Sequence, residues 1–213
     1  MQSVALIDYG SGNLRSAEKA LVRAADSSAI GGRIDVTSDP DKVARADRIV
    51  LPGVGAFAAC MEALAARPGL TEAMSEAVQK RGAPFLGVCV GMQLLATRGL
   101  EFGETPGLNW IGGDVRRLEP GDPHLKVPHM GWNDLAIARP GGVLGEAEGE
   151  PMYFTHSFAF APDDESDVTA WAEHGERFAA AVQRDNVAGV QFHPEKSQAA
   201  GLALLARFLE WRP

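Results

Sequence analysis

Residues 83–95 read APFLGVCVGMQLL, and this stretch decides the fold class. The apolar run 83–88 predicts a buried strand, and residues 90–96 predict a helix. Between them Gly87, Cys89 and Gly91 form the pattern G-x-C-x-G, the cysteine counterpart of the G-x-S-x-G nucleophile elbow. The glycines permit a sharp turn because they have no Cβ to clash, and a thiol that faces a helix N-terminus favours the thiolate. The stretch therefore predicts a nucleophilic cysteine enzyme.

The first half of the chain alternates strands with helices. Strands are predicted at 4–8, 33–37, 48–51 and 83–88, and helices at 13–25, 41–46, 56–66 and 71–80, with Asp39 capping the second helix. This alternation predicts an α/β fold with a mostly parallel central sheet and helices on both faces. Ligands of such sheets bind beyond the carboxyl ends of the strands, where Cys89 lies.

The second half is predicted to be mostly β-structure. Apolar runs at 110–118, 132–137, 152–160, 168–173 and 178–183 predict antiparallel additions to the same sheet. A last helix is expected at 198–211, with Leu202, Leu205 and Leu209 on one face. Gly141 and Gly142, with Glu146, Glu148 and Glu150 after them, are expected in a solvated loop. Without a dividing linker or a repeat, we expect a single domain over residues 1–213.

A second segment, residues 189–197, reads GVQFHPEKS and supports a catalytic role for Cys89. A cysteine nucleophile needs a base that takes and returns a proton, and a third group that orients this base. His193 is the candidate base and Glu195 the candidate orienting group, with Pro194 holding the chain extended between them. A lone histidine is more often structural, but this one follows an apolar strand end beside a carboxylate.

A third segment, Pro52-Gly53-Val54-Gly55, follows a predicted strand and can supply an oxyanion hole. We expect the backbone N–H of Val54 or Gly55, together with that of Val90, to hold the oxyanion of a tetrahedral intermediate. The two glycines also permit a peptide flip. If a carbonyl of this segment faces Cys89 in the resting state, the oxyanion hole is absent until a partner binds its ligand.

Composition excludes several classes of protein. The chain has 213 residues, 46% of them hydrophobic, and a net charge of −8 with a pI of about 5.1. These values, without a basic stripe, argue against nucleic-acid binding, and no apolar run approaches the length of a membrane span. Cys60 lies in an alanine-rich helical pattern and is expected to be buried. Two cysteines do not make a disulfide framework, and the apolar N-terminus has no basic segment of a signal peptide, so we expect a cytoplasmic protein.

Together the three segments resemble the triad, or class I, glutamine amidotransferases, whose flavodoxin-like fold this chain is expected to share. Four further blocks narrow the resemblance to the family of glutaminase subunits of imidazole glycerol phosphate synthases. These blocks are residues 7–14 (IDYGSGNL), 129–133 (HMGWN), 153–158 (YFTHSF) and 191–197 (QFHPEKS).

The resemblance implies a substrate, a partner and further site residues. L-Glutamine would be hydrolysed by Cys89, and Gly53, Gln93, Ser157 and Phe158 would bind it. The ammonia would pass to a cyclase subunit, a separate (β/α)₈ barrel that makes imidazole glycerol phosphate and an aminoimidazole carboxamide ribotide in histidine biosynthesis. Candidate interface residues are Asn13, Trp132 and Lys196, although Trp132 is an equally good core residue. We expect neither a metal nor an organic cofactor.

Three other interpretations stay open at this point. The chain is alternatively a glutaminase subunit of another ammonia-channelling synthase, for example of the pyridoxal phosphate pathway. A cysteine peptidase on a similar sheet would need a cleft for an extended substrate. A catalytically silent regulatory subunit would keep the fold, but here all three triad residues are present.

Overall fold

The computed structural model describes residues 2–145 and 147–213; Met1, which opens the apolar N-terminus, and Glu146, in the predicted solvated loop, lie outside the described residues. In chain order the strands are β1 Ser3–Ile7, β2 Arg33–Thr37, β3 Arg48–Gly53, β4 Phe85–Cys89, β5 Arg98–Gly99, β6 Thr105–Pro106, β7 Gly113–Arg117, β8 His129–Asp134, β9 Ala136–Ile137, β10 Pro151–His156, β11 Phe158–Pro162, β12 Val168–Glu173, β13 Arg177–Arg184 and β14 Val187–Val190. The α-helices are α1 Leu14–Ser27, α2 Pro40–Arg45, α3 Phe57–Ala65, α4 Leu70–Ser75, α5 Val90–Gln93 and α6 Gln198–Glu210. A π-helical turn, Glu76–Lys80, extends α4, and 3-10 turns occupy Glu165–Asp167 and Pro194–Lys196.

The central sheet has eight strands in the order β2-β1-β3-β4-β14-β13-β12-β9. The first five strands pair in parallel, and β13, β12 and β9 continue the sheet antiparallel. The parallel strands β3, β4 and β14 are almost wholly buried, as expected for strands covered by helices on two faces. The predicted α/β fold with a mostly parallel sheet is therefore confirmed.

The helices lie on both faces because the strand order reverses direction at β1. The chain moves from β1 outward to β2 and then back past β1 to β3. Right-handed crossovers consequently place α1 and α2 on opposite faces of the sheet. The α1 helix packs on α6, and α2 packs on α4. Asp39 caps α2 as predicted, since its side chain accepts from the Asp41 N–H at 3.0 Å.

The prediction that the second half only adds antiparallel strands to one sheet was wrong in part. Strands β8 and β10 form a separate two-stranded sheet, and β11, β7, β5 and β6 form a four-stranded one. The run 152–160 is split between these two smaller sheets, with β10 in one and β11 in the other. Strand β14 joins the central sheet in parallel with β4. Pairing of this kind is set by contacts between distant segments, which a local pattern does not contain.

The helix predicted at 90–96 is also shorter than expected, because α5 ends at Gln93. The carbonyl oxygens of Leu94, Leu95 and Ala96 instead accept hydrogen bonds from backbone N–H groups of residues 108–111. In α6 the buried face consists of Gly201, Leu204, Leu205, Phe208 and Leu209, so Leu202 lies at its edge. Within residues 2–145 and 147–213, no helix combines the length and apolar character that crossing a membrane requires.

Candidate active site

The three segments singled out in the sequence meet because they end three adjacent parallel strands. Gly53 at the end of β3 lies directly across from Cys89 at the end of β4. On the other side of β4, Val190 at the end of β14 lies across from Val88. The chain that continues from β14 carries His193 and Glu195 to the same edge of the sheet. Topology thus brings together residues that lie more than 100 positions apart in the sequence.

Cys89 occupies the strand-to-helix turn in a backbone conformation that few residues adopt. Its φ is +54° and its ψ is −112°, and its side chain is only 4% exposed. The flanking glycines explain how the turn closes. A Cβ on Gly87 would lie 2.5 Å from the Gly91 carbonyl oxygen, and a Cβ on Gly91 would lie 1.9 Å from that of Leu51. The G-x-C-x-G pattern is therefore a packing requirement of the elbow as well as a sequence signature.

His193 and Glu195 form a buried ion pair on the β14 side of Cys89. The Nδ1 of His193 lies 2.8 Å from Oε1 of Glu195, and both side chains are almost completely buried. The backbone that carries them is fixed by Ser197, whose hydroxyl donates to the His193 carbonyl at 2.7 Å and accepts from the Tyr153 N–H at 3.0 Å. Within the described part of the chain, Nε2 of His193 has no partner at ordinary hydrogen-bond distance. It faces the cleft that Cys89 also lines, and the thiol is close enough to influence its pKa.

The pKa of His193 is raised to about 9 by its surroundings. Burial by itself lowers the pKa, but hydrogen bonding and charge interactions with Cys89 and Glu195 outweigh this effect. The imidazole is consequently protonated at neutral pH. A protonated His193 beside Cys89 suits the release of an amine leaving group, which needs a proton.

The predicted oxyanion loop lies on the opposite, β3 side of Cys89 and is more exposed. Val54 is 43% exposed, and Gly55 has a φ of +99°, a conformation that glycine adopts without strain. The Ser11 hydroxyl donates to the Val54 carbonyl at 2.7 Å, and the Val54 N–H lies 3.4 Å from the same hydroxyl oxygen. The Sγ of Cys60 lies 3.4 Å from that carbonyl as well. One of the predicted oxyanion donors is therefore directed towards Ser11.

The predicted substrate-binding residues lie together next to Cys89. Gln93 is almost fully buried, and its Nε2 donates to the Phe158 carbonyl at 2.8 Å. Gln93, Ser157 and Phe158 line one cleft with Cys89 and His193. Gly53 packs behind the elbow, where a Cβ would lie 2.7 Å from the Gly91 nitrogen. The structure thus places Gln93, Ser157 and Phe158 in the cleft, whereas Gly53 packs against the elbow and is not among the residues that line it.

Two histidines are hydrogen-bonded in series to Phe158, and the first of them, His156, also lines the cleft. Nδ1 of His156 lies 2.9 Å from the Phe158 carbonyl oxygen, which is an acceptor, so Nδ1 carries the proton. Nε2 of His156 then accepts from Nδ1 of His129 at 3.1 Å, and Nε2 of His129 accepts from the Asn133 amide at 3.3 Å. Burial lowers the pKa of His156 to about 3 and that of His129 to about 4. Both histidines are therefore neutral, each in a tautomer fixed by its neighbours.

The cleft also contains two residues that the sequence patterns did not single out. Glu101 lines it from the hairpin that joins β5 to β6, and one of its oxygens accepts from the Phe57 N–H at 2.8 Å. Gln191 is completely buried and lies 3.8 Å from the Cys89 sulfur through its Nε2. Gln191 had a detectable signal, since it is a polar residue inside the apolar run from Val190 to Phe192. Glu101 lies in a glycine-flanked loop, and no sequence pattern pointed to it.

Of the three candidate interface residues, Lys196 lines the cleft itself. Trp132 is 48% exposed and packs edge-on against Tyr153 with ring centroids 5.8 Å apart. Nζ of Lys196 lies 5.6 Å from the centroid of the same Tyr153 ring. Asn13 lines a small apolar pocket beside Pro194 and Glu195. The exposure of Trp132 favours an interface role over a core role.

Comparison with known proteins agrees with this geometry. The family described as "Glutamine amidotransferase class-I" matches residues 5–211. The chain is similar to proteins named "Imidazole glycerol phosphate synthase subunit HisH" from three bacteria. It is 64% identical to that of Caulobacter vibrioides, with both chains covered in full. The identity is 56% for Zymomonas mobilis, over 99% of this chain and 97% of the relative, and 55% for Cereibacter sphaeroides, over 98% of each.

Solved structures of lower sequence identity share the fold. A protein described as a glutamine amidotransferase superposes with a TM-score of 0.70 at 20% identity and covers 97% of each chain. A protein from Thermoplasma acidophilum, described as belonging to a GMP synthase, gives a TM-score of 0.65 at 17% identity, over 99% of this chain and 93% of the other. At such identities the likeness concerns the architecture alone.

Proposed function

Because this chain belongs to the class I glutamine amidotransferase family and, within it, to the HisH subunits of imidazole glycerol phosphate synthase, we propose that Cys89, His193 and Glu195 hydrolyse L-glutamine. The chain acts as a glutaminase subunit in histidine biosynthesis. The observation that carries the assignment of the triad is the position of Cys89 in a strained elbow beside a histidine held at 2.8 Å by a buried carboxylate.

The chemistry runs in two halves. The Cys89 thiolate attacks the side-chain amide carbon of glutamine, and the tetrahedral intermediate collapses as Nε2–H of His193 protonates the departing nitrogen. Ammonia leaves, and a glutamyl thioester remains on Cys89. Water then attacks the thioester carbon and gives its proton to His193. The C–S bond breaks, and glutamate is released with the thiolate restored. Glu195 keeps the imidazole in the required orientation throughout.

The residues around the triad supply recognition and charge stabilisation. The backbone N–H of Val90 and that of Val54 or Gly55 form the oxyanion hole. The Val54 N–H becomes available once its contact with Ser11 is broken. Gln93 and the Ser157–Phe158 backbone hold the amino-acid end of the substrate, with Gly53 behind them. The carboxylate of Glu101 suits the α-ammonium group, because an opposite charge in a recessed cleft binds more strongly than one in water.

The ammonia needs a second active site that consumes it. The proposed partner is the cyclase subunit, a (β/α)₈ barrel whose interior receives the ammonia. It docks over the mouth of the cleft against Asn13, Trp132 and Lys196. Trp132 suits this role as a half-exposed aromatic anchor beside a lysine. The two free, buried cysteines fit a reducing compartment, and we place the protein in the cytoplasm.

The test is ammonia release from L-glutamine by the chain alone and with a liganded cyclase subunit. A low rate alone that rises with the partner and disappears in Cys89→Ser is the expected result. A rate that is already high without the cyclase and does not change when it is added would assign the chain to another ammonia-channelling synthase. Absence of activity in both conditions would contradict the catalytic assignment. Cys60→Ser is the matched control for the second buried thiol of the chain. Cys60 contacts the Val54 carbonyl, and the serine hydroxyl keeps a donor there, so this variant should retain glutaminase activity.

A further inference from the structure

Gln191 stands next to the reacting sulfur although the triad chemistry does not use it. It follows strand β14, two residues before His193, and its side chain is completely buried. A buried amide is costly unless its polar atoms are hydrogen-bonded, so its contacts account for its presence. These contacts are Gln93 on one side, at 3.0 Å, and the Cys89 sulfur on the other, at 3.8 Å.

The direction of these hydrogen bonds follows from a single backbone carbonyl. The Phe158 oxygen can only accept, so the Gln93 atom 2.8 Å away must be the Nε2 donor. The same Nε2 uses its second hydrogen on Gln191, so the Gln191 atom facing it must be the acceptor Oε1. Gln191 therefore presents its own Nε2 donor to the Cys89 sulfur. The Phe158 oxygen has the same role towards His156, whose Nδ1 points at it from 2.9 Å.

A donor at this place has a clear use. The helix that follows Cys89 has only four residues, so its dipole is much smaller than that of a long helix. The sulfur is surrounded by a protein interior, where a thiolate without hydrogen-bond donors is unfavourable. An N–H that points at sulfur stabilises the anionic form more than the neutral one, because hydrogen bonds to charged groups are the stronger ones.

We propose that Gln191 is a further catalytic residue, whose side-chain N–H stabilises the Cys89 thiolate before attack and after release of glutamate. This inference rests on the proposed glutaminase function and deepens it. Through Gln93 the same amide connects the sulfur to the Phe158 carbonyl, which lies beside the proposed substrate-binding backbone. Gln191 thus orients Gln93 as well as the nucleophile.

The test uses the full-length chain with its cyclase partner and compares Gln191→Leu with the wild type. Leucine keeps most of the volume and removes the donor. We expect the rate of Cys89 alkylation by iodoacetamide at neutral pH, followed by peptide mass spectrometry, to fall by about 10-fold or more. The kcat for glutamine should fall by a similar factor. The matched control is Gln183→Leu, since Gln183 lies in β13 and its side chain points at Gly142. This control should react like the wild type.

Gln191→Glu keeps the shape and protects the test against a folding failure of the leucine variant. A glutamate there is expected to slow alkylation at neutral pH, and the loss should shrink on acidification, because a protonated carboxyl can donate to sulfur. Alkylation and kcat within about two-fold of the wild type in both variants would overturn the inference. Alkylation does not depend on glutamine turnover, so failure of the proposed function would show separately, as a wild-type complex without glutaminase activity.

Discussion

The two sides of Cys89 are built differently. On the β14 side, His193 and Glu195 are buried and joined at 2.8 Å, and Ser197 fixes the backbone that carries them. On the β3 side, Val54 is 43% exposed, and its N–H makes a long, 3.4 Å contact with Ser11. The groups proposed for proton transfer are thus in place in this chain, whereas the proposed oxyanion loop is tied to Ser11, whose hydroxyl donates to the Val54 carbonyl at 2.7 Å. From this difference we propose that the reaction is controlled on the β3 side.

The largest expected effect is on the β14 side, in Glu195→Gln. Loss of the carboxylate removes a main cause that raises the pKa of His193 to about 9, and burial then lowers that pKa. Because the wild-type imidazolium persists up to about pH 9, the variant should lose activity at a lower pH on the alkaline limb. We expect kcat with the liganded cyclase to fall roughly 100- to 10,000-fold. Steady-state ammonia release across pH checks this, with the exposed Glu62→Gln as control. A loss below about five-fold would mean that the carboxylate does not orient the base.

The next effect concerns the elbow that both sides share. In Gly91→Ala the new Cβ would lie 1.9 Å from the Leu51 carbonyl oxygen, so β3 and the elbow must separate. We expect a loss of about 3 kcal/mol or more in the free energy of unfolding, measured by urea denaturation. Gly32→Ala is the control, since its Cβ would meet its nearest neighbour at an ordinary 3.6 Å. Equal stability of the two variants would refute the packing account of G-x-C-x-G.

A smaller effect is expected from acid, through the two histidines behind Phe158. Their folded pKa values, about 3 for His156 and about 4 for His129, lie below the ordinary value of 6.5. Their contribution to stability is therefore complete above pH 6.5 and is lost as the pH falls towards 4. Each histidine should lower the free energy of unfolding by about 1 kcal/mol per pH unit in that range.

His129→Gln should make this dependence shallower, while His124→Gln, in an exposed loop, should leave it unchanged. Urea denaturation at a series of pH values measures the slope for all three proteins. If the free energy of unfolding depends on pH equally in His129→Gln and the wild type, these histidines do not cause the loss of stability in acid.

The smallest expected effect is on the β3 side, in Ser11→Ala. The variant loses the hydroxyl that contacts both the N–H and the carbonyl of Val54. The freed N–H can then turn towards Cys89, so the glutaminase rate without cyclase should rise about five-fold, as expected for one hydrogen bond. The ratio of stimulated to basal rate should fall accordingly. The control is Ser27→Ala, because Ser27 bonds only carbonyls of its own helix. A basal rate that is unchanged or lower would remove Ser11 from the control of the loop.

The parts of the site that could be predicted from the sequence are those with a local cause. Gly87, Cys89 and Gly91 interact within one turn, so their spacing in the sequence is enough to predict the elbow. The alternation of the first half likewise predicted the parallel sheet, because each strand and its following helix are local. His193 and Glu195 were found because they lie two residues apart at a strand end.

The features of the fold and the site that the sequence did not predict depend on contacts between distant segments. Residues 94–96 look helical, but residues 108–111 bind their carbonyl oxygens, so α5 stops at Gln93. The division of residues 152–160 between two sheets follows from pairing with β8 and β7, which no local pattern specifies. Glu101 reaches the cleft through a hairpin tip, and Ser11 reaches Val54 across two strand ends. Contacts of this kind are decided by packing.

The most direct test of the catalytic role of Cys89 is to trap the acyl intermediate. The chain with liganded cyclase is mixed with L-glutamine and quenched in acid within the first turnover, and its peptides are analysed by mass spectrometry. We predict a glutamyl adduct on the peptide that contains Cys89 and none on the peptide that contains Cys60. Glutamine hydrolysis without any adduct on Cys89, or hydrolysis that continues in Cys89→Ser, would contradict that role.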